Sequence, residues 1–214
     1  MINMIKLKEN LLTDGDIEKY LINLTKLSSP ITGSHVFPQE KPLHVEIGCG
    51  NGHFLTARSQ NHPENNYIGV DYSRKRVYKS IYKAKQRDIE NIRFIQGEGK
   101  DLLGNHFAPE SIDTLYLNFP DPWPKRKHHK NRIYQNEFFD LLHEKLKSGS
   151  IFYAVSDNES YFMELLSLLE RDKRFNNDFS SRFQTELTDY EPSLYESRWR
   201  EMGRTIFYLR YKKQ

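Results

Sequence analysis

The chain has 214 residues, 29% of them charged and 13% aromatic, with a formal net charge of +3. That is an ordinary soluble composition, long enough for one domain with a sizeable core, and no run approaches the ~20 apolar residues of a membrane span. The N-terminal Met1–Glu9 is interrupted by charge too early for a signal peptide. The single cysteine, Cys49, allows no intrachain disulfide, so a reducing, cytoplasmic setting is expected.

Residues 1–40 carry no strong hydrophobic period and read as an N-terminal arm that could be flexible, with a short helix within Asp14–Leu27. The main domain, 41–214, opens with an apolar strand, Leu43–Ile47, which runs into Gly48-Cys49-Gly50-Asn51-Gly52. A helix is predicted over His53–Gln60, then a strand over Tyr67–Asp71 that ends on an acid. Ser73 is a suitable N-cap for the next helix, where Val77, Ile81 and Ala84 form an apolar stripe. Seven basic residues and no acidic one lie between Tyr72 and Arg87. Further strands are predicted at Ile92–Gln96, Ile112–Leu117 and Ser150–Val155. Gly149 is expected to close a helix over Gln135–Leu146, and Tyr161–Glu170 reads as another helix. Phe183–Leu187 and Thr205–Tyr211 are strand-like, pointing to an antiparallel hairpin at one sheet edge.

Strands alternating with helices in this way predict an α/β fold, a doubly wound and mostly parallel sheet. Ligands of such sheets bind outside the carboxyl ends of the strands. The loops at 46–52, 71, 97–99, 118–125 and 156–158 all follow strands, so their side chains should converge.

Gly48-x-Gly50-x-Gly52 after a strand, with Asp71 beyond, fits either a dinucleotide or S-adenosylmethionine, the acid accepting from ribose hydroxyls. The third glycine of the dinucleotide pattern is replaced here by Phe54 or Leu55. Glu46 would repel a pyrophosphate but suits the cationic amino group and sulfonium of the methyl donor. Glu98, after the third strand, is placed for the adenine edge.

The most distinctive stretch is Asn118-Phe119-Pro120-Asp121-Pro122-Trp123-Pro124, followed by Lys125 to Arg132 with five cations and two histidines. Three prolines should hold a stiff, extended turn that mounts Asp121. The basic run suits a polyanion; a surface turn followed by solvated charge is the competing description.

This stretch resembles the signature of the bacterial tRNA (guanine-N7)-methyltransferases, and the similarity covers about residues 42–211. The resemblance implies a Rossmann-like class I methyltransferase fold, mostly parallel with an antiparallel C-terminal strand. It implies methyl transfer from S-adenosylmethionine to N7 of a guanine in the tRNA variable loop. It places Glu46, Gly48, Gly50, Asp71, Glu98 and Asp121 at the donor, with Asp121 also catalytic. Lys125 and Asp157 match substrate positions, and Lys127, His128, His129, Lys130, Asn131 and Arg132 match an RNA-contacting run. The chain departs from the family at Glu98, where the family usually has aspartate in an Asn-x-Asp-Ala sequence, and at Asn131, where arginine is usual. Two segments fit the family's C-terminal motif, Thr188–Glu191 by its letters and Ser193–Glu196 by its spacing to Gly203. The spacing selects Ser193, Leu194, Tyr195 and Glu196 for the substrate.

Guanine N7 is an unprotonated lone pair, so neither nucleophile nor general base is required, and placement supplies much of the catalysis. Asp121 would stabilise positive charge developing on the ring. Lys125 would donate to guanine O6, and Asp157 or Glu196 would accept from N1 and the exocyclic amine. His128 and His129 have no second ligand cluster beside them, so no metal is expected. Partners are expected to be tRNA and no membrane, with the protein a monomer or homodimer. The alternatives are methylation of another RNA, a protein or a small molecule, a nicotinamide-dependent oxidoreductase, and an RNA-binding protein without catalysis.

Overall fold

The structure, a computed structural model, describes residues 11–214; Met1–Glu9, read above for a leader, falls outside them. Among the described residues the sheet has seven strands: β1 (Leu43–Ile47), β2 (Asn66–Asp71), β3 (Ile92–Gln96), β4 (Ile112–Asn118), β5 (Leu146–Ser156), β6 (Phe175–Asn177) and β7 (Phe207–Lys213). Their order is β3-β2-β1-β4-β5-β7-β6. The first five run parallel, and β7 is antiparallel to both β5 and β6. Every residue of β2 is buried, as a strand covered by helices on both faces must be.

Among the described residues the α-helices longer than a single turn are α1 (Asp14–Tyr20), α2 (His53–Asn61), α3 (Arg74–Gln86), α4 (Gly99–His106), α5 (Asn136–Lys145), α6 (Glu159–Arg171) and α7 (Leu194–Glu201), and one helical turn, Gly33–Val36, precedes β1. Two hydrophobic clusters lie on the two faces. One gathers Val45, Leu115, Phe138, Phe152 and Leu165; the other gathers Phe54, Tyr67, Ile81, Tyr116 and Tyr190. The predicted stripe Val77, Ile81 and Ala84 is fully buried. No helix among the described residues is long and apolar enough to cross a membrane.

Several expectations are corrected. Gly149 does not close a helix. Lys145 ends α5, and Leu146 already pairs with Ile112. Gly149 (φ +79°) then takes a left-handed conformation where the β4–β5 register jumps from Ile112↔Leu146 to Thr114↔Ile151, a bulge that a glycine tolerates. Phe183–Leu187 is not a strand: only Gln184 bridges to Tyr208, while Phe175–Asn177 takes the edge beside β7. The short helix expected within Asp14–Leu27 is present as α1, followed by a turn at Leu24–Lys26.

Residues 11–40, read as an arm, lie against the domain. Ile22 N–H donates to Phe94 O (2.9 Å) and Ile31 N–H to His106 O (2.7 Å). Lys85 pairs with Asp16 at 2.6 Å. Tyr20 and Ile31 are essentially inaccessible to solvent.

Candidate active site

The turn after β1 is built by its glycines. Gly48, Gly50 and Gly52 have φ of +76°, +58° and +68°, conformations that cost a residue with a Cβ. A Cβ at Gly48 would meet nothing within 4 Å, so this backbone lines open space. At Gly52 a Cβ would sit 2.7 Å from Ser80 Oγ, which ties the third glycine to close packing against α3. Cys49 is buried here, and burial pushes its thiol pKa up. It is an inert packing residue.

Asp71, at the end of β2, is buried. Its Oδ2 accepts from Gly50 N–H (3.0 Å) and its Oδ1 from Ser73 N–H (2.8 Å). The carboxylate therefore locks the glycine turn to the start of α3. Ser73 is the N-cap position but makes no side-chain cap bond. Arg76 reaches back to Asp71 at 3.7 Å.

Glu46 is 2% exposed. Its Oε1 accepts from Asn118 Nδ2 (2.9 Å), while Oε2 is buried with no hydrogen-bond partner among the described residues. Burial, reinforced by the charge of Asp71 and opposed by the Asn118 hydrogen bond, raises its pKa to about 7. A buried carboxylate oxygen with nothing to accept from is costly, and a cationic ligand group would relieve that cost.

An open cleft of about 500 Å³ runs along the carboxyl ends of the strands. Gly48, Gly50, Asp71, Glu98, Asp121, Asp157 and Tyr195 line it together. A smaller cavity of about 50 Å³ beside it is lined by Glu46, Asn118, Ser193 and Leu194, among others. The convergence predicted from strand ends is thus realised for the acids, and Ser193–Tyr195, at the start of α7, comes to the same place. Thr188–Glu191 is divided: Tyr190 is buried, and Glu191 accepts from Arg58 (2.7 Å) and Asn61 (3.2 Å) of α2.

The turn that mounts Asp121 is stiff but not extended throughout. Phe119 (φ +51°) and Trp123 (φ +43°) both precede prolines and both take the left-handed conformation. Such positions cost ~1–3 kcal/mol each for residues other than glycine. The turn is held by Phe119 N–H donating to Val155 O (2.8 Å) and Arg132 Nε–H to Pro122 O (2.8 Å). Asp121 itself is exposed at the cleft.

Four site residues make contacts within the protein that the sequence did not indicate. Arg132 is only 9% exposed; besides Pro122 it pairs with Glu164 and lies over the Tyr161 ring at 4.9 Å, so it braces the turn from inside. Glu196 turns inward, accepting from Tyr208 Oη and from Arg200 Nε (3.2 Å). Asp157 lines the cleft, but its carboxylate is engaged by Arg204. Glu98 is exposed at the cleft and caps α4, its oxygens accepting from Lys100 N–H (3.1 Å) and Asp101 N–H (2.7 Å). Lys125, Lys127 and Lys130 are exposed, and His128 meets the Trp123 ring edge-on at 5.8 Å. Asn131 lines the cleft. No group of three or more potential metal ligands is gathered among the described residues.

Sequence reasoning missed Tyr72, Trp199 and Arg204, all of which line the cleft. Tyr72 is 68% exposed directly after Asp71. Arg204 lies over the Trp199 ring at 4.1 Å. It also missed α7, although Ser193-x-x-Glu196 has the form of a capping box, and Ser193 Oγ does accept from Glu196 N–H (3.1 Å).

A family model described as "Putative methyltransferase" matches residues 40–209. The tRNA (guanine-N(7)-)-methyltransferase of Rubrobacter xylanophilus is 32% identical over 187 residues, covering 86% of this chain and 80% of that protein. The protein of the same name from Pseudoalteromonas translucida is 31% identical over 212 residues, covering 96% and 88%. Among solved structures, an rRNA methylase from Streptococcus thermophilus matches with a TM-score of 0.55 at 15% identity, over 85% of this chain and 91% of that one, a likeness of fold. With the family model and these relatives matching nearly the whole of the domain that carries the glycine turn, its two carboxylates and the Pro-Asp-Pro-Trp-Pro mount, the chain belongs to the tRNA (guanine-N(7)-)-methyltransferase family.

Proposed function

We infer that this protein transfers a methyl group from S-adenosylmethionine to N7 of a guanine in tRNA. The single observation that carries this is the glycine cradle at the strand ends, which lines both the cleft holding Asp121 beside an exposed basic segment and the small cavity holding a buried carboxylate with one unpartnered oxygen. The family relatives support it through their named activity. When bound, S-adenosylmethionine supplies an electrophilic methyl group on a cationic sulfur.

The residues present fit that group. Glu46 Oε2 would accept from its amino group, which suits a cation and not a pyrophosphate. Asp71 spends one hydrogen bond per oxygen on the backbone, and a carboxylate keeps further lone pairs for ribose hydroxyls. Glu98 has the same spare capacity beside the adenine position. Asp121, exposed on its rigid turn at the cleft, would stabilise positive charge passing to the guanine ring. Lys125 and Asp157 are assigned to the guanine edge; Asp157 must first release Arg204. Ser193, Leu194 and Tyr195 would flank the base, with Glu196 as their brace behind. Lys127 and Lys130 would grip phosphates. The catalytic domain is assigned to 41–214, with residues 11–40 docked on it.

Incubation with unmodified tRNA and methyl-labelled S-adenosylmethionine, followed by strand scission specific for N7-methylguanosine, tests this directly. Label at a guanine that becomes cleavable is the expected result; no label in tRNA would overturn the assignment.

A further inference from the structure

Glu46 is held by a chain of two buried hydrogen bonds that begins far along the sequence. Tyr190 Oη donates to Asn118 Oδ1 (2.6 Å), and Asn118 Nδ2 donates to Glu46 Oε1 (2.9 Å). All three side chains are at most 9% exposed. The Tyr190 ring is packed against Phe54 (4.8 Å, stacked), Tyr153 (5.4 Å) and Tyr208 (5.7 Å), so its hydroxyl has little freedom to leave Asn118.

The chemistry of an amide makes this chain directional. Asn118 can present either its NH₂ or its oxygen to Glu46, and only the NH₂ is compatible with an ionised carboxylate. A donor on the far side of Asn118 holds the amide oxygen away from Glu46. We propose that Tyr190 is a positioning residue for the methyl donor: by donating to Asn118 it fixes the amide so that Glu46 is kept ionised and aimed, with Oε2 free for the donor's amino group. The proposal rests on the assignment of Glu46 to the donor made above. Tyr190 touches neither the donor nor the guanine; it acts through Asn118. The raised pKa of Glu46 is consistent with this, because burial works against the charge that the Asn118 hydrogen bond favours.

Asn118 closes β4 just before the turn that carries Asp121, and Tyr190 stands three residues before Ser193, where the segment lining the small cavity begins. That turn has its own clamps at Val155 and Arg132, so loss of the Tyr190 hydroxyl acts on Glu46.

The test is a double-mutant cycle read by calorimetric binding of S-adenosylmethionine. Tyr190→Phe keeps the ring and removes the hydroxyl; it should weaken donor binding about tenfold, raise KM for the donor and leave KM for tRNA and kcat at saturating donor within about twofold. Glu46→Gln should weaken donor binding, and Tyr190→Phe added to it should cause no further loss. Tyr153→Phe, which alters the same aromatic cluster outside the hydrogen-bond chain, should leave donor affinity unchanged. Unchanged donor affinity in Tyr190→Phe, with Glu46→Gln impaired, would overturn the positioning role alone. Unchanged affinity in Glu46→Gln would overturn the donor assignment and the positioning role with it. An equal loss on adding Tyr190→Phe to Glu46→Gln would make Tyr190 a packing residue.

Discussion

Asp121 lines the cleft and Glu46 the small cavity beside it, and their surroundings suit them to the two roles proposed above. Asp121 is exposed on a rigid turn, so it stays available to meet charge that develops on a bound ring. Asp121→Ala is expected to lower kcat roughly 10²–10³-fold while tRNA binding, measured by filter retention, is preserved. Loss of binding instead would make Asp121 a structural residue. Glu46 is buried and its pKa stands near 7 instead of its usual 4.5. A carboxyl raised in the folded state contributes stability that is fully present below its unfolded value and lost as pH rises through about 7. Binding of a cationic amino group reverses that preference, because it selects the ionised form. Donor affinity should therefore increase with pH from about 5.5 and level off above about 7, by up to tenfold per unit below the midpoint. Calorimetry in buffers of different ionisation enthalpy should also record proton release on binding below that midpoint. A flat profile would remove Glu46 from the donor site.

At the scale of elements, the stretch 118–132 divides into two parts with opposite roles. Residues 118–124 form a strained turn whose two left-handed residues are clamped by β5 and by Arg132. Arg132→Ala leaves the Pro122 carbonyl without its donor and Glu164 without its partner, and should cost about 1–3 kcal/mol in urea denaturation. Activity should fall with little change in the salt dependence of tRNA binding. Lys127 and Lys130, exposed on the turn at Arg126–Asn131, should behave in the opposite way. Lys127→Ala with Lys130→Ala should leave stability in urea within about 0.5 kcal/mol. The same pair should flatten the salt dependence of tRNA affinity by about one unit of log–log slope for each phosphate no longer neutralised. Unchanged affinity at low salt would remove both lysines from the phosphate grip. The basic helix α3 is less free than its sequence implies: Arg76 reaches Asp71, Lys83 donates to Asn51 O, and Lys85 pairs with Asp16.

At the scale of the whole molecule, the sheet collects residues from 46 to 204 at one edge, and the N-terminal arm closes the opposite periphery. Ile31 is fully buried although it lies in a segment with little hydrophobic period. Ile31→Ala is expected to cost about 2–5 kcal/mol by thermal or urea unfolding; a loosely attached arm would lose no more than about 0.5 kcal/mol. The five parallel strands were legible in the sequence because each is a short apolar run ending in a glycine, an acid or a polar turn. The helices α4 and α7 were not, since α4 holds two glycines and α7 buries only Glu196. Gly149 was misread because a left-handed glycine serves a helix end and a strand bulge equally well, and only pairing with β4 distinguishes them.

The sequence alone determined the five parallel strands, the helices α2, α3, α5 and α6, the glycine turn with its two acids, and the resemblance carried by Asn118–Pro124, because these are local patterns whose meaning lies in residue type and spacing. Which charges are spent internally was decided only by the tertiary structure. Arg132, Glu196, Asp157 and part of α3 look in sequence like the exposed cations and acids around them, and become braces only when a distant partner is folded against them. The same holds for Tyr190 and Asn118, 72 residues apart and one hydrogen bond from each other: their meeting depends on how the C-terminal segment returns across the sheet, a property of packing that no local spacing records.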